Sequence, residues 1–158
     1  MASKKTLTFE RTFQAPLEDI WDLWTTKEGI ESWRGPDGFS VKVQAIDLRP
    51  GGALEYTMTA TGAAQVEFMQ AAGMPVATKN RGTYVEVTPR RRLVYTHLAD
   101  FIPDVEPYEI AHVVELHEAP QGVRMVLTVD AMHSLNWSKL MEMGWQSELD
   151  NLAKVVVA

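Results

Sequence analysis

Leu7, Phe9 and Phe13 stand among polar neighbours at the even spacing of a half-buried strand. Leu17, Ile20, Trp21 and Trp24 then fall at i, i+3, i+4 and i+7. That is one face of a helix, and Pro16 suits its first position. Thr25 or Thr26 is placed to cap a second short helix carrying Ile30 and Trp33, which the run Gly35-Pro36-Asp37-Gly38 ends in a turn. From Phe39 the period becomes two, through Val41 and Val43, the tight turn Arg49-Pro50-Gly51-Gly52, and Leu54, Tyr56 and Met58. Residues 62–75 break that pattern. Ala63, Ala64, Val66, Phe68, Met69, Ala71 and Ala72 suit a short helix or a lid-like loop that ends at Gly73-Met74-Pro75.

Strand character returns at 82–87, 93–98, 108–117 and 123–129, and Ala119-Pro120-Gln121-Gly122 reads as the hairpin turn between the last two. The chain closes on its most legible element. From Trp137, apolar residues recur at Leu140, Met141, Trp145, Leu149, Leu152, Ala153 and Val156. They trace one stripe of a long helix over 137–157. Asn136 is the expected N-cap, while Lys139, Glu142, Gln146, Asp150 and Lys154 take the opposite side. Gly144 lies inside this helix. It serves either close backbone approach or room beside Trp145, at about 1 kcal/mol relative to alanine.

Strand, two short helices, about six further strands and a long helix predict an α+β domain. Hairpin-like connections make the sheet antiparallel, with the helices on one face. At 158 residues the chain fits one domain, 1–158, with 1–5 expected to be a flexible lead-in.

Composition narrows the function. The net charge of −6 disfavours nucleic acid or an anionic membrane as partner, since both need a basic surface. The one basic cluster, Arg90, Arg91 and Arg92, follows Pro89 and reads as a solvated hairpin tip. The absence of cysteine removes disulfides, thiolate metal sites and cysteine nucleophiles. Residues 1–6 lack an apolar signal region and no stretch reaches membrane-spanning length, so the cytoplasm is the expected compartment, with no membrane insertion. No metal is expected, because His112 and His117 fall on opposite faces of a strand and no histidine pair has i, i+4 spacing. No serine lies in a Gly-x-Ser-x-Gly setting, and Gly51-Gly52 lacks the strand-to-helix context of a phosphate loop.

Several motifs together resemble a known family. Phe13-Gln14-Ala15-Pro16 with Trp21 looks like its opening strand and helix, and 25–33 followed by Gly35-Pro36 like its second helix and turn. Asp47-Leu48-Arg49-Pro50-Gly51-Gly52, Gly82-Thr83-Tyr84-Val85-Glu86-Val87, Leu93-Val94-Tyr95-Thr96 and Gly144-Trp145 with Leu149 and Leu152 continue the match. The order is that of the helix-grip fold of the START-like (SRPBCC, birch-pollen-allergen-like) superfamily. The sequence is most similar there to bacterial homologues of the C-terminal domain of the heat-shock-protein-90 ATPase activator. The resemblance implies a curved sheet of six or seven strands around the long helix, with a cavity between them for a small, largely apolar molecule. It does not imply one activity, because members bind lipids, cyclise polyketides or contact proteins. Two departures stand out: His97 occupies a place where relatives carry tryptophan, and the insert 62–75 reads as a cover for the pocket mouth.

The expected pocket residues are Trp33, Phe39, Tyr56, Met58, Phe68, Met69, Tyr84, His97, Phe101, His112, Met141 and Trp145. His112 shares a strand face with Tyr108, Ile110, Val114 and Leu116 and should point inward. The plain reading is a core histidine satisfied by a carbonyl or a hydroxyl; the functional one is a polar anchor or proton donor. His97 and Asp100 close the fifth strand and either form a surface pair or mark the pocket mouth. His133 reads as a solvated loop residue, and Glu55, Glu86 and Glu115 as solvent-facing.

The leading expectation is therefore binding of a small apolar ligand, gated by 62–75 and 99–107, with no catalytic residue and no cofactor. Alternatives are a cyclase or hydratase, with His112 or His97 as base and Tyr56, Tyr84 or Tyr95 as donor, and a co-chaperone-like module binding a chaperone. The chain would act as a monomer or a homodimer.

Overall fold

The computed structural model describes residues 5–157 except Phe101 and Pro103. The expected flexible lead-in, Lys5 apart, thus lies outside the described residues, as does Phe101. The elements are β1 (Thr6–Phe13), α1 (Leu17–Thr25), α2 (Lys27–Trp33), β2 (Phe39–Ile46), β3 (Ala53–Ala60), α3 (Ala63–Ala71), β4 (Ala77–Thr88), β5 (Arg92–Ala99), β6 (Tyr108–Ala119), β7 (Gly122–Asp130) and α4 (Leu135–Val157).

The strands form one 7-stranded antiparallel sheet in the order β1-β7-β6-β5-β4-β3-β2. Period-two alternation gives the sheet an inner face of Phe9, Val43, Leu54, Leu93, Ile110, Val114, Met125 and Leu127, all buried. Trp145, Leu149 and Leu152 of α4 and Ile20, Trp21 and Trp24 of α1 close over that face in a single core. This is the helix-grip α+β architecture. Thr26, not Thr25, caps α2: its Oγ1 accepts the Gly29 N–H at 3.0 Å.

Three expectations are corrected. The cap of α4 is Ser134, whose Oγ accepts the Trp137 N–H at 3.2 Å, and Asn136 lies inside the helix. Leu140 is exposed, together with Leu135 and Met143, because the first turns of α4 lack the cover that Trp145, Leu149 and Leu152 find. Strand β4 begins five residues before the predicted 82–87. Its inward positions there, Thr78 and Asn80, are polar, so hydrophobic alternation does not reveal them. Residues 62–75 take the helical one of their two expected forms, as α3 over 63–71, with Met69 its one buried residue.

Candidate functional site

Registers within the sheet bring its inward polar residues together. Tyr84 lies opposite Tyr95, and Tyr95 opposite His112, giving one cross-strand row over β4, β5 and β6. Tyr56 faces Asn80 across β3 and β4, and His97 stands two residues beyond Tyr95 on the same face of β5. A bulge after Tyr84 leaves Val85 exposed, and the inward face of β4 resumes at Val87, opposite the buried Leu93.

Over this row two helix residues form an ion pair. Arg34, where α2 ends, donates from Nε to Glu148 Oε1 of α4 at 3.3 Å, and their side chains are only 9% and 6% exposed. The same Oε1 accepts the Gly35 N–H at 2.7 Å, and Asn151 Nδ2 donates to the Gly35 carbonyl at 3.1 Å. The chain between α2 and β2 is thereby held to the middle of α4. The Arg34 guanidinium stands 4.7 Å from the Trp145 ring centroid and 5.5 Å from those of Trp33 and Tyr56. Its Nη2 donates to the Tyr56 hydroxyl at 3.3 Å. Burial acts against the Arg34 charge, yet Glu148 beside it holds its pKa above the ordinary value.

Each imidazole has a defined tautomer. His112 Nδ1 lies 3.1 Å from the Ile110 carbonyl, which can only accept, so Nδ1 carries the proton and Nε2 is left as an acceptor. Asn80 Nδ2 donates to the Thr78 carbonyl, which turns Oδ1 toward His97 Nε2 at 3.0 Å and makes that nitrogen the donor. Desolvation, with the Arg34 charge adding to it, pushes His97 down to about 4. His112 is lowered well below its usual value by burial first, then by His97 and Arg34. Both rings are neutral at pH 7 and weak as bases. Burial also raises the Tyr56, Tyr84 and Tyr95 hydroxyls, which stay protonated.

The hydroxyls of Tyr84 and Tyr95 are buried and have no hydrogen-bond partner, and their residues are 1% and 4% exposed. The two rings meet edge to face at 6.4 Å, and Tyr95 stacks on His112 at 4.6 Å with an interplanar angle of 4°. Thr78 Oγ1, farther along the inward row of β4, is likewise unpaired. The chemistry on offer is hydrogen bonding from neutral groups beside a compensated cation. Two clefts open elsewhere on the surface, one of about 370 Å³ between β1 and α4 and one of about 320 Å³ between α1, α2 and the end of α4. Neither is lined by a residue of this polar cluster. Among the described residues no group of three or more histidines or carboxylates is placed to hold a metal ion.

A family model described as "Activator of Hsp90 ATPase homolog 1-like protein" matches residues 14–157. The chain belongs to that family. Proteins of solved structure share the fold at low identity. One from Chromobacterium violaceum is 21% identical, with a TM-score of 0.77 and 96% of each chain covered. The AHSA1 protein from Silicibacter pomeroyi is 19% identical, with a TM-score of 0.75 and coverage of 97% of this chain and 98% of that one. An AHSA1-like protein from Aeromonas hydrophila is 21% identical, with a TM-score of 0.74 and coverage of 96% and 92%. No curated protein matches the sequence.

In this activator-like chain the fold brings Trp33, Tyr56, Tyr84, His97, His112 and Trp145 together around Arg34, while Phe101 lies outside the described residues. Phe68 is 54% exposed, and Met69 is the one buried residue of α3. Phe39, Met58 and Met141 are half-buried. Asp100 is exposed, and the group that orients His97 is the Asn80 amide. His133 is exposed as expected, but its Nδ1 is hydrogen-bonded with the Tyr108 hydroxyl at 2.8 Å. Glu55, Glu86 and Glu115 are paired on the outer face, with Arg81 and Arg92.

Sequence reasoning missed Arg34, Glu148 and Asn80. Glu148 carried a signal: it stands three residues after Trp145 and four before Leu152, on the apolar stripe itself. An acid in that position is buried and needs a partner. Arg34, between the buried Trp33 and Gly35, is the cation the chain supplies.

Proposed function

We propose that the chain binds a small, largely apolar molecule between the inner face of the sheet and α4, and that the polar cluster under Trp145 grips its one polar group. The observation that carries this reading is the pair of buried, unpartnered hydroxyls on Tyr84 and Tyr95. Leaving such a group unpaired costs about 1–3 kcal/mol, which phenylalanine at either position would avoid. Buried unsatisfied groups are few in native proteins and call for an explanation. A ligand oxygen set against these hydroxyls satisfies both.

Entry involves the two gates. Helix α3, with Met69 as its sole buried residue, is loosely attached, whereas the segment 99–107 is tied to the core through Ala99 and Ile102. Binding is favoured over catalysis of the cyclase or hydratase type. A general base works best with a pKa near the operating pH, and His97 lies at about 4. Native mass spectrometry of the protein purified from its host tests the reading. A small molecule retained by the wild type and lost from a Y84F/Y95F variant supports it. Protein of sequence mass only, with nothing extracted by organic solvent, overturns it.

A second reading, contact with a chaperone, is favoured by one observation: the exposed apolar side chains of Leu135, Leu140 and Met143 on the first turns of α4. Calorimetric titration with a bacterial heat-shock-protein-90 chaperone tests it. Binding abolished by L135E/M143E is the expected outcome, and no heat from the wild type would refute it.

A further inference from the structure

Resting on that ligand-binding reading, we propose that the bound molecule presents an uncharged oxygen, a carbonyl or a hydroxyl, to Tyr84 and Tyr95, and that the site rejects carboxylates. The inference follows from how charge is already matched inside the cluster. Arg34 is its one cation and Glu148 its one anion; they are 3.3 Å apart and both buried. Glu148 is further held by the Gly35 N–H. Every other polar side chain around them, from Tyr56, Asn80, Tyr84, Tyr95, His97 and His112, is uncharged at neutral pH.

A carboxylate brought to the tyrosine hydroxyls would leave the interior with a net negative charge near Glu148, in surroundings where an unpaired ion is strongly disfavoured. An anion could gain the guanidinium only by displacing Glu148, which would break the tie between α4 and Gly35. A carbonyl or hydroxyl oxygen needs neither change. It accepts from two neutral O–H groups, and a ligand hydroxyl can also donate to Nε2 of His112, the acceptor nitrogen of that ring. A pure hydrocarbon fits the aromatic surroundings but leaves both hydroxyls unpaired. The order of preference is therefore neutral oxygen first, then hydrocarbon and carboxylate.

Three probes of one shape test this: 2-acetylnaphthalene, 2-ethylnaphthalene and 2-naphthoate. Each is titrated into the full chain while the ring signals of Tyr84 and Tyr95 are followed by NMR. One hydrogen bond without a rival is worth on the order of tenfold in affinity. The ketone should thus bind about tenfold or more tightly than either of the others. In Y84F/Y95F, its folding checked by circular dichroism, ketone and hydrocarbon should bind alike. A carboxylate that binds as well as the ketone, or a ketone advantage that survives in the double variant, overturns the proposal and leaves the ligand site standing. If no probe moves these signals, the ligand-binding reading itself fails and the preference with it.

Discussion

Replacing Arg34 with methionine would leave the Glu148 carboxylate buried with the Gly35 N–H as its remaining partner. At 3.3 Å, and with an effective dielectric constant of about 20, the lost attraction is about 5 kcal/mol before desolvation is counted. Desolvation opposes that gain in the intact pair, so the observable is the loss on removing one side, about 3–5 kcal/mol for a buried pair. For a domain of this size that corresponds to a melting temperature lower by roughly 6–20 °C. E148Q keeps an acceptor for Gly35 but strands the guanidinium under Trp145, and should cost about 3 kcal/mol. The double variant R34M/E148L removes both charges and fills the space with apolar atoms; it should lie within about 2 kcal/mol of the wild type. Urea unfolding of the wild type, R34M, E148L and R34M/E148L closes a double-mutant cycle, and E148Q measures what the acceptor for Gly35 is worth without the charge. If the two single losses add up in the double variant, Arg34 and Glu148 are not coupled, and the electrostatic picture of the site is wrong.

Three further outcomes follow from the same geometry. His97 is held near 4 in the folded protein against about 6.5 unfolded, so below pH 6.5 the unfolded chain binds the proton first. Stability should fall as the pH drops from about 6.5 toward 4; the urea midpoint of H97Q should fall less steeply, and parallel slopes would refute the assignment. Y84F and Y95F each remove an unpaired hydroxyl, so each apo protein should be as stable as the wild type or more stable by about 1 kcal/mol. A loss above 1 kcal/mol on chemical unfolding would mean that the hydroxyls are already satisfied. A side chain at Gly144 would meet Pro36 Cγ at 3.7 Å, an ordinary contact, so G144A should stabilise α4 by about 0.5–1 kcal/mol in the same assay; destabilisation would show that the helix needs glycine there.

Much of the fold was legible in the sequence because most inward positions are apolar. Phe9, Val41, Val43, Leu54, Leu93, Val114 and Leu127 announce their strands by alternation, and Trp145, Leu149 and Leu152 announce α4. The candidate site was legible only in part, and for the same reason. It is built where the inner face turns polar. Thr78 and Asn80 conceal the first half of β4, and Glu148 passes for a solvent-facing helix residue unless its place on the stripe is noticed. Arg34 stands outside any periodic element, so pattern gives no hint that its side chain turns inward. Aromatic and methionine content misled in the other direction. Phe68 is apolar yet exposed, while its neighbour Met69 is the residue of α3 that is buried. His97 and His112 were within reach, because each interrupts an otherwise apolar inward row.

Electron density around Tyr84 and Tyr95, in a crystal of the protein purified from its own host without added ligand, tests the central claim most directly. The expected result is continuous density for an organic molecule beneath Trp145, with an oxygen at hydrogen-bond distance, about 2.5–3.0 Å, from both tyrosine hydroxyls. Side chains packed shut over those hydroxyls, or water alone against them, would contradict it.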